Sequence, residues 1–265
     1  MKITDQALEW LKLDQTLEWL KLILSICAAL GAAWWAVHTW KVAQAEDRER
    51  ERDRLAALYV TPFILASEQL QSRIFNILEH DGLVALRDNY PDDGGAADTL
   101  FLKAQYFGWE RVVYRYGPYT HDKELIRLTQ AIRASLATDR IPCGAFCFFR
   151  TEQQAIGEMV MQRSPGEKGA EFEAMGFYKF KAALDDASGP LAKSVSVKRT
   201  LDAISHHAAE SHAGTSEKLE GRERLALLQN GLVDVLEYIE SKEQFSVSPG
   251  KRKRVGLANT VSETP

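Results

Sequence analysis

The chain has 265 residues, 45% of them hydrophobic and 26% charged, with a formal net charge of −4. That length suits one globular domain with appendages, since single hydrophobic cores usually occupy on the order of 100–200 residues. The composition argues against wholesale disorder and against a multi-span transporter, and the near-neutral charge balance argues against a protein that coats nucleic acid over its whole surface.

The chain begins with a tandem repeat: residues 5–13 (DQALEWLKL) recur as residues 14–22 (DQTLEWLKL), differing only in Ala7 against Thr16. Nine residues of helix turn through about 900°, so equivalent residues of the two copies face opposite ways. The apolar stripe is instead Trp10, Leu13, Leu17 and Leu20, which predicts an amphipathic segment over residues 1–19 lying along a membrane surface before the chain turns in. A duplication without function accounts for the repeat equally well.

Residues 20–40 read LKLILSICAALGAAWWAVHTW, with Lys21 at the edge as the only permanent charge. At 1.5 Å per residue they span roughly 30 Å, the thickness of bilayer hydrocarbon. Trp19, Trp34, Trp35 and Trp40 lie towards the ends, where an indole can sit at headgroup level. A cleaved signal peptide needs a short positive leader, whereas Asp5, Glu9, Asp14 and Glu18 are interleaved here with Lys2, Lys12 and Lys21, so the segment reads as an uncleaved transmembrane anchor. Lys41, Arg48, Arg50, Arg52 and Arg54 outnumber the cations before the span, which predicts a single-pass protein with a cytoplasmic C-terminal domain. Residues 41–60 contain the run EDRERERDR, whose Glu46–Arg50 and Glu51–Arg54 spacings suit a solvated helical stalk.

Residues 61–245 read as a bundle of five or six helices, making the chain all-α. Thr61 and Pro62 predict a helix start, followed by a buried stripe of Phe63, Ala66, Leu70, Ile74 and Ile77 and a stop at Gly82. Turn formers over residues 89–95 lead to a helix over 98–116 with Leu102, Tyr106, Trp109 and Val113 on one face. Leu125, Leu128, Ile132 and Leu136 mark a helix over 122–137, and the apolar run 141–149 suits a buried strand or an extended crossing. Thr151 and Gln154 form a capping-box pattern before a helix carrying Ala155, Met159 and Val160. Two further helices are expected over 171–184 and 222–243, the latter with Leu225, Leu228, Leu232, Leu236 and Ile239 in register; residues 187–221 promise weaker helix, and 246–265 a disordered tail with the basic run KRKR at 251–254.

P-loop, Rossmann, nucleophile-elbow and zincin motifs are all missing from the sequence. Cys27 lies in the apolar run, and Cys143 and Cys147, at C-x3-C spacing without further soft ligands nearby, are expected to be buried free thiols of a reducing compartment. His206, His207 and His212 cluster in a polar stretch but read as surface residues, so neither metal nor cofactor is expected. Arg199 precedes His206 with six residues between them, a spacing that resembles the R-x4–6-H motif of the HEPN ribonuclease superfamily. The resemblance implies an all-α fold that dimerises to join two such motifs, with His206 and Arg199 assisting attack of an RNA 2′-OH on phosphate. It covers eight residues and departs from the family at Thr200, where a small polar amide, acid or histidine is favoured.

Polar residues inside apolar stripes form the other candidate site: Glu68, Gln69, Arg73 and Asn76 on one helix, and Arg150, Gln153 and Glu158 on another. If the two helices line one cleft, Arg73 can meet Glu158, or Arg150 can meet Glu68, making a pocket for an anion or a peptide. The leading expectation is therefore a non-catalytic, membrane-anchored module for interaction or homo-oligomerisation, with membrane lipid and another copy or a cytoplasmic protein as partners. Nucleic acid is a possible partner that nothing in the sequence indicates. The rivals are a tethered HEPN-like nuclease and a pore assembled through the small residues Ala28, Ala29, Gly31, Ala32 and Ala33.

Overall fold

A computed structural model describes residues 3–80, 82, 94–164, 171–212, 219–243 and 250–256. The chain forms two units, Met1–Arg54 and Leu55–Pro265.

The first unit is helix α1 (Ile3–Leu55), 53 residues without a break, roughly 80 Å at 1.5 Å per residue. It contains no proline, and Ala, Leu, Glu, Lys and Arg, all strong helix formers, dominate it. The expected turn between a surface segment and the span is absent, because the repeat, the apolar run and the charged run share one continuous helix. Within that helix an 18-residue window reaches a mean hydropathy of 1.8 with none of it buried, so it is long and apolar enough to cross a membrane. Towards its end Arg50 meets Glu46 at 3.4 Å and Arg54 meets Glu51 at 3.1 Å, the two pairs the spacing implies.

The second unit opens with a π-helical turn, Ala56–Val60, that runs into α2 (Thr61–Glu79). Thr61 is therefore not an N-cap: Val60 before it is already helical, and no side chain caps the helix. Pro62 explains the π-turn, since proline lacks an N–H and its ring crowds the carbonyl four residues back, and one wider turn relieves both. The chain continues through α3 (Gly94–Tyr116), α4 (Lys123–Ala137), α5 (Arg150–Val160), a two-stranded antiparallel ladder of β1 (Met161–Ser164) and β2 (Glu171–Ala174), then α6 (Phe177–Asp185), α7 (Pro190–Lys193), α8 (Val195–His212) and α9 (Arg222–Glu243). α9 packs on α2 and α4, while α3 packs on α2, α5, α6 and α8. Phe63, Leu70, Ile74, Leu100, Ile132, Leu136, Phe148, Leu232 and Leu236 form the centre of one core.

Several expectations change here. Residues 171–184 divide into strand β2 and helix α6, because Phe172 packs its ring 5.0 Å from Tyr116 and 6.5 Å from Tyr59, and tertiary packing overrides a modest helix propensity. α5 starts two residues early, with Phe149 as its N-cap and the Glu152 carboxylate accepting the Phe149 N–H at 2.9 Å instead of a cap from Thr151. Its buried face is Gln153, Ile156, Gly157 and Val160, leaving Ala155 exposed. Gly157 is there because a Cβ would sit 2.8 Å from the Phe107 backbone, so the α3–α5 crossing needs a residue without one. The run 141–149 is the extended crossing rather than a strand. Cys143 and Cys147 are paired in a disulfide with Cα atoms 5.4 Å apart, correcting the expectation of free thiols: the turn at Gly144–Phe146 folds the crossing back far enough to join them. Finally, residues 250–256 are packed, with Val255 buried, so this part of the C-terminal segment is not a free tail; the rest of 246–265 lies outside the described residues.

Candidate functional site

An open cleft of about 990 Å³ lies between the C-terminal half of α2 and the N-terminal half of α3, lined by Glu68, Gln69, Ser72, Arg73, Asn76, His80, Gly82, Asp98, Phe101, Leu102 and Gln105. The 3.6-residue period of α2 explains its wall: Phe63, Leu70, Ile74 and Ile77 face the core, which leaves Glu68, Gln69, Ser72, Arg73 and Asn76 on the flank that borders α3. Arg73 pairs with Asp98 across the cleft, and Glu68 accepts from Arg252 Nε at 2.5 Å. Phe101 packs edge-on against Phe177 and at a tilt against Phe180, with centroids 5.5 and 5.3 Å away, which fixes the apolar floor.

Of the residues singled out in the sequence, Glu68, Arg73 and Asn76 therefore share one site. Those on α5 do not join them. Arg150 is exposed at the first position of α5, Glu158 pairs with Arg111, and the buried Gln153 donates its amide to Arg133 O at 3.1 Å and Phe148 O at 2.8 Å. The pairings Arg73–Glu158 and Arg150–Glu68 are absent because α3 stands beside α2 and supplies Asp98 instead.

Arg199 and His206 sit two turns apart on the exposed side of α8. Arg199 Nη1 donates to Cys143 O at 3.4 Å, and the buried Thr200 hydroxyl accepts the Phe146 N–H at 3.3 Å, so this stretch of α8 holds the disulfide loop in place. His212 has no described side chain. Among the described residues, no group of three or more His, Cys, Asp or Glu side chains is arranged to hold a metal ion.

No family profile, curated protein or solved structure matches this chain.

The sequence reading missed a second constellation, inside the domain. Lys103 is 1% exposed, and its Nζ has no hydrogen-bond partner; it lies 4.8 Å from the Phe146 ring centre and 4.7 Å from that of Phe148. Burial, followed by the nearby Arg224 guanidinium, lowers its pKa to about 7. One and two turns further along α3, Tyr106 is held protonated by burial, and Glu110 is raised above the ordinary carboxylate range by burial even though Arg133 donates to it. Arg224 is fully enclosed and donates to the carbonyls of Ser135, Thr138 and Ile141 at 2.7–3.1 Å, which ties the end of α4 to the crossing. Phe146 reaches Lys103 by adopting a φ of 62°, a conformation a residue with a Cβ takes up only when its surroundings enforce it. The disulfide, Thr200 and Glu220, which accepts the Ala145 N–H at 3.1 Å, supply that enforcement. A lysine at a helix position flanked by Leu102 and Ala104 carries no local sign of this environment, because its aromatic cover comes from more than forty residues away.

Proposed function

We propose that this protein is a membrane-anchored helical module that works by binding, with α1 in the bilayer and the α2–α3 cleft as the surface that receives a protein partner, either another copy or a cytoplasmic protein. The cleft carries this reading. Its Arg73 and Glu68 are already held by Asp98 and Arg252, so it offers shape, apolar contact at Phe101 and Leu102, and amide and hydroxyl groups at Gln69, Ser72, Asn76 and Gln105. Those features suit a peptide segment better than a small charged substrate, which would need isolated charges to bind it.

The test is native mass spectrometry of the full chain from nanodiscs, comparing the wild type with Leu102→Glu. Leu102 is half-buried at the cleft, so the substitution should spare the fold. A wild-type complex of defined stoichiometry that the variant loses supports the reading; a wild-type monomer counts against it. The nuclease reading has one supporting observation, the common exposed side of α8 on which Arg199 and His206 stand. RNA cleavage lost in both Arg199→Ala and His206→Ala, with the fold retained, would replace the binding reading. Lys and Arg placement around the apolar run supports a cytoplasmic domain. The Cys143–Cys147 pairing favours the opposite, oxidising side, and trapping thiols in intact cells decides between the two.

A further inference from the structure

Residues 250–256 (GKRKRVG) run back along α9 against its own direction. Arg252 meets Glu240, Arg254 meets Glu237 and Asp234, and Val255 meets Asn230 and Gln229. Arg252 is gripped fork to fork: Nη1 and Nη2 each donate to one Glu240 oxygen at 2.7 Å while Nε donates to Glu68 on α2, and its side chain is 4% exposed. The main chain of the segment is read as well. Buried Gln229 donates to Lys253 O at 2.8 Å and accepts the Val255 N–H at 3.1 Å, while Asn230 donates to Val255 O at 3.0 Å and accepts the same N–H at 3.2 Å. Val255 fills an apolar slot at 3% exposure, whereas Lys251 and Lys253 point to solvent.

Such a combination differs from ordinary core packing. Side-chain amides capture a backbone that has no strand partner, two carboxylates clamp one guanidinium, two more take the next arginine, and an aliphatic side chain enters a slot, with the two lysines left out. Without the segment, Asp234 and Glu237 would lose the arginine they share, Glu68 would lose Arg252, and Gln229 would be buried without its partners, so the groove is built for a cationic occupant.

We propose that α2 and α9 form a peptide-binding groove for an Arg-x-Arg-aliphatic segment, and that residues 250–256 are its tethered ligand, exchangeable for the same segment of a second copy. Only six residues, 244–249, join the segment to the end of α9. Exchange between copies would make each protomer complete the other's groove. The groove adjoins the α2–α3 cleft and shares Glu68 with it, while its clamp on α9 lies apart from Leu102.

The experiment uses the full chain in nanodiscs with a specific protease sequence in place of residues 244–249. After cleavage, a fluorescein-labelled peptide GKRKRVGLAN should displace the nicked segment, read as a rise in anisotropy at micromolar protein. The Arg252→Ala peptide, and separately the Glu240→Gln protein, should weaken binding at least tenfold. A folded nicked protein that takes up no peptide overturns the proposal, and so does a nicked protein that loses its circular dichroism, because the segment would then be part of the core. For exchange between copies, one copy carries Asp234→Cys and the other Arg254→Cys, both with Cys27→Ser, and a short bis-maleimide spans the gap that the arginine side chain leaves. A cross-linked dimer supports exchange, and its absence with both thiols fully alkylated overturns it. Loss of the Leu102→Glu complex leaves peptide uptake untouched, so failures of the two readings are distinguishable.

Discussion

Leu24 and Trp34 in α1 are 71% and 66% exposed, while Leu232 and Leu236 in α9 are fully buried. The residue types are similar and both segments are long helices, yet one keeps its apolar surface and the other hides it. In α9 the large apolar residues recur every three or four positions, so one stripe meets α2 and α4, while a polar flank receives residues 250–256. Over residues 22–37 of α1 they occur on every side, and no stripe on a neighbouring helix could cover them all. Apolar on every side, the run is long and apolar enough to cross a membrane, so the solvent proposed for it above is the bilayer.

The largest expected effect removes that solvent partner. The full chain should stay in the membrane pellet through a carbonate wash, and a chain beginning at Glu46 should move to the soluble fraction and remain helical; recovery of the full chain as soluble protein would break the contrast. Next comes the core. Ile74→Ala and Leu236→Ala, both at 0% exposure, should each cost about 2–5 kcal/mol in denaturant unfolding of the domain. Losses under about 0.5 kcal/mol at both sites would mean that α2 and α9 do not pack as described.

Lys103 sharpens the comparison, because it places a polar group where α9 places leucines. Its pKa is about 7 in the fold and near 10.4 when unfolded. Between those values the unfolded chain binds a proton that the folded chain lacks, so stability should rise with pH from about 7 to about 10 and be lowest below 7. Lys103→Met should flatten that rise and stabilise the domain at neutral pH by up to about 4 kcal/mol, read from urea unfolding at several pH values. An unchanged pH profile in the variant would show that Lys103 is not desolvated. The disulfide has the smallest effect of the set. Reduction or Cys147→Ser should cost about 2 kcal/mol, the loop-closure value for so short a ring, seen as a modest drop in Tm that reductant no longer causes in the variant.

What could be read in advance follows a pattern. The helices over 61–79, 123–137 and 222–243 were visible because each has an apolar residue every three or four positions, and α4 adds Asp122, whose Oδ1 accepts the Glu124 and Leu125 N–H groups at 3.0 Å. Of the candidate site, Glu68, Arg73 and Asn76 were recognisable as polar residues beside an apolar stripe, whereas their partners were not. Asp98 pairs with Arg73 from 25 residues away, and Arg252 reaches Glu68 across 184. The ladder strand at residues 171–174 was hidden for the same reason, since Phe172 takes its place from Tyr59 and Tyr116 rather than from its neighbours in the chain.

By itself, the sequence determined the helical class of the chain and the apolar run in α1, because periodicity, capping and hydropathy act within a few turns of backbone. Tertiary structure alone decided which charges meet, that Cys143 joins Cys147, that Phe146 and Phe148 enclose Lys103, and that a basic run resembling a solvated tail is gripped by four carboxylates and two amides. Those outcomes depend on the positions of helices far apart in sequence, and a charged or aromatic residue carries no local mark of the partner that packing will bring to it.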